Sequence, residues 1–337
     1  MKVLLVKLSS LGDVIQTMPV VNDVLTALPD AQIDWVVEEA FAPLVARVQG
    51  LRRVLPIGQR RWRKSFFRAD TRAERRAFSS GLQTQTYDAV IDFQGLIKSA
   101  LVARTARLSA GGFRATYANG SEACSYEWPV RFMLDKPLPM AHRIHAVARY
   151  RTLAAAALNY PLRGAANYRL AHQAPGSMDL TKVVVFAHGT TRPDNEWPKE
   201  SWVELGRHLI GLGFQIALPH SSASELAFAN SIASALGDEA SVWPSLSLPQ
   251  VLDRMAVSAG VIGVDTGLSH LAVALDLTHV QIFSQPRAWR AGPVGKLHQV
   301  AVGGEGAPDA QDVWRAWVEA TGGPISYEGD STKLGLL

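Results

Sequence analysis

The sequence contains a single cysteine, Cys124, among 337 residues. One cysteine cannot build a disulfide framework or a cysteine-rich metal site, and this scarcity is typical of proteins in a reducing compartment. Long apolar runs are also missing, because no stretch approaches the roughly 18 apolar residues that a membrane-spanning helix requires. The first apolar run, residues 3–6, is interrupted by Lys7 and is too short for a signal peptide. We therefore expect a cytoplasmic protein that can rest on a membrane without crossing it.

The sequence also lacks the short motifs of several large enzyme classes. It has no GxGxxG for a dinucleotide, no GxxxxGK[ST] for a P-loop, and no HExxH, EF-hand loop or GxSxG. Its nine histidines are scattered, and the pair His142 and His145 is too small a set to hold a metal ion. The sequence therefore predicts neither a dinucleotide enzyme nor a metalloenzyme, and it predicts no metal site.

Charge is present but unevenly distributed. Residues 1–170 carry 24 Lys and Arg against 13 Asp and Glu, whereas the remaining residues carry 10 against 17. Eight of the basic residues lie between positions 60 and 76, interleaved with Trp62, Phe66 and Phe67. Such a segment suits an anionic ligand, an anionic lipid surface or a nucleic acid, and a solvated basic face is a further interpretation. The first half of the chain is thus expected to bind something anionic.

Short apolar runs alternate with helical patterns in both halves of the chain. In the first half the patterns predict strands at 3–6, 33–37 and 89–92 and helices at 14–28 and 141–158. In the second half they predict strands at 182–187, 214–218, 261–264 and 280–283 and helices at 198–212, 224–236, 248–259, 268–275 and 309–320. Such series indicate an α/β fold with two doubly wound parallel sheets.

The predicted domains are residues 1–165 and 180–322, joined by a linker at 166–179 and followed by a weakly patterned tail at 323–337. Ligands of doubly wound sheets bind at the carboxyl ends of the strands, so the cleft between the two domains is the expected active site.

The loop after the first predicted strand carries Asp13 at the start of a helix. Gly12 permits a tight turn there, and the helix dipole favours the ionised form of Asp13. The position fits either a simple helix N-cap or a catalytic carboxylate.

Two loops in the second half have the character of anion sites. Asp265-Thr-Gly-Leu-Ser-His270 connects a strand to a helix, whose free N–H groups can bind a diphosphate. The loop at 188–197 offers the hydroxyls of Thr190 and Thr191 beside Arg192, with Pro198 predicted in the first turn of the next helix. A plain turn and a polar capped loop are the alternative interpretations.

Six segments, in order, resemble the lipopolysaccharide heptosyltransferases of glycosyltransferase family 9. They are Val6-Lys-Leu-Ser-Ser-Leu-Gly-Asp13, Asp34-Trp-Val-Val-Glu-Glu39, Arg60-Arg-Trp-Arg-Lys64, Gln94-Gly-Leu-Ile-Lys98, His188-Gly-Thr-Thr-Arg192 and Asp265-Thr-Gly-Leu-Ser-His270. The last is shared throughout that family, and the Arg-Arg-Trp-Arg-Lys run points to the members that add the first heptose. The resemblance implies the GT-B fold, in which two Rossmann-like domains face each other across a cleft.

The resemblance also implies substrates and partners. The donor would be ADP-heptose and the acceptor a Kdo residue of Kdo-lipid A, with inversion at the transferred sugar and neither cofactor nor metal. The chain would act as a monomer on the anionic cytoplasmic face of the inner membrane, without a nucleic-acid partner.

The resemblance assigns roles to individual residues. Asp13 takes the position of the general base. The implied acceptor-binding residues are Lys7, Ser10, Gly12, Arg60, Arg61, Arg63, Lys64 and Lys98. The implied donor-binding residues are Thr190, Thr191, Arg192, Asn195, Glu225, Leu246, Asp265, Thr266, Gly267 and His270. Among these, Glu225 would hold the ribose and Leu246 would line the adenine pocket.

One position departs from the family pattern. The family has a lysine three residues after the arginine of the paired-threonine run, whereas this chain has Asn195. Arg192 or Lys199 would have to replace the missing charge. Two other functions therefore stay open: a sister transferase that adds a later core sugar, and a noncatalytic protein that binds a nucleotide or another anion.

Overall fold

The computed structural model describes residues 1–65, 68–174, 176 and 178–323. It divides into two compact units, one comprising Met1–Gln173 with Trp289–Ala291 and the other comprising Ala174–Ala288 with Gly292–Leu337. Among the described residues, no helix combines the length and the apolar character needed to cross a membrane.

Parts of three predicted segments lie outside the described residues. These are Phe66 and Phe67 of the basic segment, Pro175 and Ser177 of the predicted linker, and all of the predicted tail except Gly323.

The first unit is built on six parallel strands in the order β3-β2-β1-β4-β5-β6. The strands are β1 (Lys2–Val6), β2 (Gln32–Glu38), β3 (Leu51–Ile57), β4 (Thr86–Asp92), β5 (Arg107–Tyr117) and β6 (Lys136–Leu138). The helices are α1 (Leu11–Thr17), α2 (Pro19–Ala27), α3 (Ala42–Val45), α4 (Gln59–Lys64), α5 (Ala69–Leu82), α6 (Ile97–Thr105), α7 (Val130–Met133) and α8 (Ala146–Leu158).

The second unit has the same strand order in its own six-stranded sheet, β12-β11-β10-β7-β8-β9. Its strands are β7 (Val183–Ala187), β8 (Gln215–Leu218), β9 (Ala240–Val242), β10 (Gly260–Val264), β11 (His279–Phe283) and β12 (Gln299–Gly303). A 3₁₀ helix (Pro193–Asn195) precedes α9 (Lys199–Gly211), and the remaining helices are α10 (Ala223–Leu236), α11 (Leu248–Met255), α12 (Gly267–Ala274) and α14 (Ala310–Ala320). The short helix α13 (Ala288–Ala291) follows β11 in the chain, but all of it except Ala288 is grouped with the first unit. The prediction of two doubly wound parallel sheets is confirmed.

The central strands are apolar because helices cover the sheet on both faces. In β1, Leu4 and Val6 face one side, where they join a cluster with Trp62 of α4 and Ala103 of α6. On the other side α1 and α2 pack against α8. The sheet of the second unit is covered in the same way, and its largest cluster includes Trp202 of α9 and Trp317 of α14. A strand buried on both faces reads as a continuous apolar run, which is why β1, β7 and β10 were predictable.

Three predicted helices have wrong limits. The helix predicted at 14–28 is two helices, because Pro19 lacks the N–H that a continuous helix needs and instead opens α2. The helix predicted at 141–158 begins only at Ala146, where the ring of His145 accepts a hydrogen bond from the backbone N–H of Val147. The helix predicted at 248–259 ends at Met255, whose carbonyl accepts a hydrogen bond from the Ser258 hydroxyl instead.

One small error and several omissions complete the comparison. Pro198 precedes α9 as its N-cap instead of standing in its first turn. The prediction missed β3, whose apolar pattern is broken by Arg52 and Arg53, and β5, which is broken by Gly111 and Gly112. It also missed the short β6 and β9 and the last strand, β12.

The arginines of β3 have a structural partner in Asp34. This residue lies on β2 and is fully buried. Its carboxylate accepts hydrogen bonds from Arg52 (2.6 and 2.9 Å), from Arg53 (2.9 Å) and from the Tyr87 hydroxyl (2.7 Å). Burial alone would raise the pKa of Asp34, but these hydrogen bonds hold it below its ordinary value. The ionised carboxylate therefore ties β2, β3 and β4 together.

Replacing Asp34 with Asn is expected to lower the free energy of unfolding at neutral pH by about 2–4 kcal/mol, because the two arginines lose their charged acceptor. Urea titrations of both proteins would measure this. The difference should be complete above about pH 4, the ordinary pKa of Asp, and should shrink as the pH falls through the lower pKa of the folded state. The exposed Asp30→Asn is the matched control, with an expected change below about 0.5 kcal/mol. Equal stability of Asp34→Asn and wild type across this range would contradict the assignment.

Candidate active site

In the first unit, the loops after β1 and β4 lie side by side because these two strands are parallel neighbours. The side chain of Gln94, which follows β4, binds them together. Its Oε1 accepts hydrogen bonds from the backbone N–H groups of Leu8 (2.9 Å) and Ser9 (3.4 Å). Its own backbone N–H donates to the carboxylate of Asp92 (2.9 Å). The loop that leads to Asp13 is therefore fixed at the carboxyl edge of the sheet.

Asp13 is the third residue of α1, and Ser10 is its N-cap. The alternative in which Asp13 is itself the N-cap is therefore wrong. Asp13 Oδ2 accepts from the backbone N–H (3.2 Å) and the hydroxyl (2.8 Å) of Ser10, so its carboxylate binds back to the N-cap residue. Gly12 lies within α1 and has no left-handed backbone angle, so the predicted tight turn at Gly12 is also wrong.

The second oxygen of Asp13 is held by residues from other elements. The Tyr150 hydroxyl, from α8, donates to Asp13 Oδ1 at 2.7 Å. The buried Lys7 ammonium donates to the Tyr150 oxygen (3.1 Å) and to the carbonyl of Phe93 (3.2 Å), and it lies 3.9 Å from Asp13 Oδ1. Arg290 Nη2, in the segment grouped with this unit, lies 3.8 Å from the same oxygen.

These contacts determine the protonation of Asp13. Burial would raise the pKa of its carboxyl, but Lys7, the hydrogen bonds from Tyr150 and Ser10, and Arg290 together hold that pKa well below its usual range. Asp13 is therefore a carboxylate at every physiological pH. It is oriented through both oxygens and available to accept a proton.

Asp13 opens onto a cavity of about 290 Å³. The cavity is lined by Lys7, Ser9, Ser10, Asp13, Gln94, Leu96, Lys98, Cys124, Ser125, Arg149, Tyr150 and Arg290. Four of these side chains are cationic, whereas Asp13 is the one carboxylate among the lining residues that the structure describes. The cavity is therefore suited to an anionic ligand.

Among the four cations, Arg149 is distinguished by its burial and by its unused hydrogen-bond donors. It is 2% exposed, and its guanidinium carbon lies 3.8 Å from the centroid of the Tyr117 ring. Within the described part of the chain, neither its Nε nor its Nη2 has a hydrogen-bond partner. A buried guanidinium with unused donors is costly, and a bound carboxylate would satisfy it.

Only some of the predicted acceptor residues lie at this cavity. Lys7, Ser10 and Lys98 line it, and Gly12 is next to Asp13. The remaining four, Arg60, Arg61, Arg63 and Lys64, belong to α4 and are absent from its lining.

The α4 cations have different neighbours. Arg61 forms ion pairs with Glu39 (3.1 Å) and Glu74 (2.7 Å), so its donors are already used. The guanidinium of Arg60 lies 5.4 Å from the ring centroid of Phe41. Arg63 lines a separate groove, and the side chain of Lys64 is exposed.

The sequence did not indicate Tyr150, Arg149 or Arg290. Arg149 and Tyr150 are large polar residues in an alanine-rich helix, AVARYRTLAAAAL. Their difference from the small apolar residues around them is the one feature of the sequence that could have marked them as functional. Arg290 lies in the short α13 and had no motif around it.

In the second unit, three loops meet at the carboxyl edge of β8, β7 and β10, which are parallel neighbours in that order. The loop at 188–192 follows β7, the loop that leads to Glu225 in the first turn of α10 follows β8, and Asp265 follows β10. Residues separated by many positions along the chain are thus brought to one edge.

A cavity of about 470 Å³ lies at this edge. It is lined by His188, Gly189, Thr190, Glu196, Trp197, Pro198, Lys199, Ser224, Glu225 and Phe228. The Glu225 carboxylate accepts from the backbone N–H (2.6 Å) and hydroxyl (2.9 Å) of Ser221. Gly189 approaches it so closely that an added Cβ would stand 2.7 Å from the carboxyl carbon of Glu225. A side chain at position 189 would therefore displace the Glu225 carboxylate from this position.

The Asp265 loop is adjacent but outside this lining. Thr266 is the N-cap of α12, and Gly267 is its first residue. Asp265 Oδ1 accepts from Gln281 Nε2 (3.2 Å) and lies 3.6 Å from His270 Nε2. The free N–H groups at the start of α12 and the ring of His270 therefore lie beside one carboxylate.

Asn195, at the position where the resemblance implies a lysine, makes a contact with the Asp265 loop. It is 4% exposed, and its Nδ2 donates to the carbonyl of Asp265 at 3.4 Å. Arg192 instead pairs with Asp194 at 3.4 Å, and neither Arg192 nor Thr191 lines the cavity. Leu246 is half-buried and also lies outside the lining.

No group of three or more potential metal ligands occurs among the residues that the structure describes. The first cavity combines four cations with the carboxylate of Asp13, whereas the second is lined by Lys199, the hydroxyls of Thr190 and Ser224 and the carboxylates of Glu196 and Glu225.

Comparison with known proteins identifies the family. The model of glycosyltransferase family 9 (heptosyltransferase) matches residues 75–313. Lipopolysaccharide heptosyltransferase 1 of Escherichia coli K12 is 38% identical over 304 residues, which cover 89% of this chain and 93% of that protein. The protein of the same name from Pseudomonas aeruginosa PAO1 is 39% identical over 313 residues, with coverage of 90% and 84%.

Solved structures agree with this result. E. coli heptosyltransferase WaaC with ADP superimposes with a TM-score of 0.84 at 35% identity, and the match covers 95% of this chain and 100% of that one. E. coli ADP-heptose lps heptosyltransferase II gives a TM-score of 0.75 at 21% identity and coverage of 95% and 98%, which supports the fold. The predicted resemblance is confirmed, and the chain belongs to glycosyltransferase family 9, the heptosyltransferase family.

Proposed function

We propose that this enzyme transfers L-glycero-D-manno-heptose from ADP-heptose to a Kdo residue of Kdo-lipid A, with inversion at the transferred carbon. Two similar proteins are named lipopolysaccharide heptosyltransferase 1, and two similar structures are described with ADP and with ADP-2-deoxy-2-fluoro heptose. These relatives support the donor. The acceptor is argued from the first unit.

The surplus of cations around Asp13 is the observation that carries the proposal. Kdo is a sugar acid, so it presents a carboxylate next to its hydroxyl groups. Arg149 offers unused buried donors, and Lys98 and Arg290 add positive charge to the same cavity. A carboxylate bound there would bring an acceptor hydroxyl to Asp13.

Asp13 acts as the general base in this proposal. A sugar hydroxyl is a weak acid, so its proton passes to Asp13 while its oxygen attacks the anomeric carbon of the donor. The cations that hold the pKa of Asp13 low also weaken it as a base. The acceptor carboxylate offsets their charge on binding, so a bound acceptor strengthens the base that it needs.

The second unit holds the donor. Glu225 accepts hydrogen bonds from the ribose, while Thr190 and Lys199 contact the diphosphate in the same cavity. The amino end of α12 and His270 stabilise the charge that develops on the leaving ADP. In this proposal protein groups alone neutralise the negative charge of the diphosphate, and no metal or other cofactor takes part.

We place the enzyme at the cytoplasmic face of the inner membrane, where a lipid-linked acceptor is anchored. The excess of basic residues in positions 1–170 supports attraction to an anionic lipid surface. A monomer is sufficient for this reaction, and no nucleic acid is involved.

A sister transferase that adds a later sugar is the alternative within the family. Arg149 favours the first addition, because its Nε and Nη2 have no hydrogen-bond partner among the described residues and a neutral heptose acceptor would offer them no carboxylate. A noncatalytic anion-binding protein is less well supported, because the buried Asn195 has a defined structural role and Lys199 supplies a cation at the donor cavity.

Replacing Asp13 with Asn is expected to reduce kcat about 10²–10⁴-fold, because the amide cannot accept the proton. The measurement is heptose transfer to Kdo-lipid A at saturating ADP-heptose, followed by mass spectrometry. The exposed Asp30→Asn serves as the control and should retain wild-type kcat. A near-normal kcat in Asp13→Asn would exclude this residue as the base.

Replacing Arg149 with Met is expected to raise KM for the Kdo acceptor about 10- to 100-fold, because one charge-assisted interaction is lost, while KM for ADP-heptose stays nearly constant. An acceptor whose Kdo carboxylate has been reduced to an alcohol is the matched control. Wild type and variant should use that acceptor equally poorly. If the variant discriminates between the two acceptors as strongly as wild type does, Arg149 does not bind the carboxylate.

Replacing Lys199 with Ala is expected to weaken ADP binding about tenfold or more, because the diphosphate loses the lysine that lines its cavity. Isothermal titration calorimetry with ADP measures this directly. Arg192→Ala, in the same loop but outside the lining, is the control and should change the affinity little. A large loss of ADP affinity in Arg192→Ala, with little change in Lys199→Ala, would show that Arg192 takes the place of the family lysine.

A further inference from the structure

Four large apolar side chains are exposed on and near α6 and α7 of the first unit. Their exposed fractions are 40% for Ile97, 55% for Leu101, 67% for Trp128 and 67% for Phe132. We call these four residues the α6–α7 surface. Single exposed apolar residues are common, but a group of this size including two aromatic rings is typical of an interaction site.

The four side chains are close to one another. Ile97 and Leu101 are four positions apart on α6 and therefore share one helix face. The rings of Trp128 and Phe132 pack edge to face, with centroids 6.0 Å apart. The Ile97 backbone N–H donates to the carboxylate of Glu127 at 2.6 Å, which places the start of α6 beside Trp128.

Basic side chains surround the α6–α7 surface. Arg104, three positions after Leu101, donates to the carbonyl of Met133 at the end of α7 (3.1 Å). The guanidinium of Arg131 lies 4.6 Å from the Phe132 ring centroid.

Leu101 extends the surface towards α4 and α5. It lines a groove of about 280 Å³ with Trp62 and Phe78 and with the cations Arg63, Arg75 and Lys98. The cations Arg63, Arg75, Lys98, Arg104 and Arg131 outnumber the carboxylate of Glu127, so the charge of the side chains named around the apolar centre is predominantly positive.

Lys98 connects this surface with the candidate active site. It lines the groove with Leu101, and it also lines the cavity that contains Asp13. A lipid-linked acceptor whose chains lie at the α6–α7 surface therefore has its sugar end close to the base.

We propose that the α6–α7 surface docks on an anionic lipid bilayer, with Trp128 and Phe132 inserted at the level of the headgroups. The charge complementarity between the basic surroundings and anionic headgroups favours this occupant, and aromatic rings are preferred at the membrane–water interface. The inference rests on the proposed function in one respect, namely that the acceptor is anchored in the same bilayer.

The test compares wild type with the double variant Trp128→Ser/Phe132→Ser. Binding is measured by co-sedimentation with vesicles of phosphatidylethanolamine and phosphatidylglycerol, and with neutral phosphatidylcholine vesicles. The double variant is expected to bind the anionic vesicles at least about tenfold more weakly. It lacks the two aromatic rings whose transfer from water into the membrane interface favours binding. Wild-type binding should fall with added salt and be weak on neutral vesicles.

The matched control is Val294→Ser/Leu297→Ser in the second unit, where the two side chains are 70% and 93% exposed. It should bind vesicles like wild type. Equal losses in both double variants, or no loss in Trp128→Ser/Phe132→Ser, would overturn the proposal. A wild-type dimer that becomes monomeric in the variant without a change in vesicle binding would assign the surface to self-association and equally overturn it.

Transfer assays separate this proposal from the proposed function. On Kdo-lipid A embedded in vesicles, kcat/KM of the double variant should fall about tenfold, whereas on a deacylated, water-soluble Kdo acceptor it should change less than about twofold. The second result also shows that the variant is folded. If wild type transfers heptose to neither acceptor but its vesicle binding depends on the two rings, the proposed function fails and the docking surface stands. Equal losses on both acceptors would contradict a membrane role.

Discussion

Burial of each parallel sheet on both faces is the constraint on which the chemistry of this enzyme depends. Strands such as β7 and β10 are wholly apolar, so the polar groups that belong to them come where the strand ends. Because neighbouring strands run in the same direction, their carboxyl ends share one edge. Lys7 follows β1 and His188 follows β7 for this reason. Each unit therefore collects its polar loops at a single edge.

In the first unit that edge combines one oriented carboxylate with several cations. Both oxygens of Asp13 are engaged, one by Ser10 and the other by Tyr150, so the side chain is fixed before a substrate arrives. Lys7 holds Tyr150 in turn. The same positive charge that makes the cavity suited to an anionic ligand lowers the basicity of Asp13; under the proposed function, binding of an acidic sugar is thereby coupled to proton transfer.

The second unit gives Asn195 a structural environment of its own. The resemblance implies a lysine at this position, but the side chain is buried here and bonded to the backbone of the Asp265 loop, an environment that favours a neutral amide. Lys199, four residues later and at the start of α9, lines the cavity that we propose for the donor. Thr190 and Glu225 lie in that cavity as the family motifs imply, whereas the Asp265 loop lies beside it.

The sequence by itself determined the fold class and the loops that carry polar groups, because buried parallel strands appear as apolar runs and the motifs follow them directly. It failed where local signals conflict with tertiary ones: Pro19 divides one predicted helix, and the charges of β3 concealed a strand that is stabilised by Asp34. Only the tertiary structure decided the partners of Asp13. Tyr150 is 137 positions away in the chain, and Arg149 and Arg290 belong to no motif. Hydrogen bonds and charge–charge interactions depend on distance in space, and folding alone brings α8 and the Arg290 segment to the end of β1.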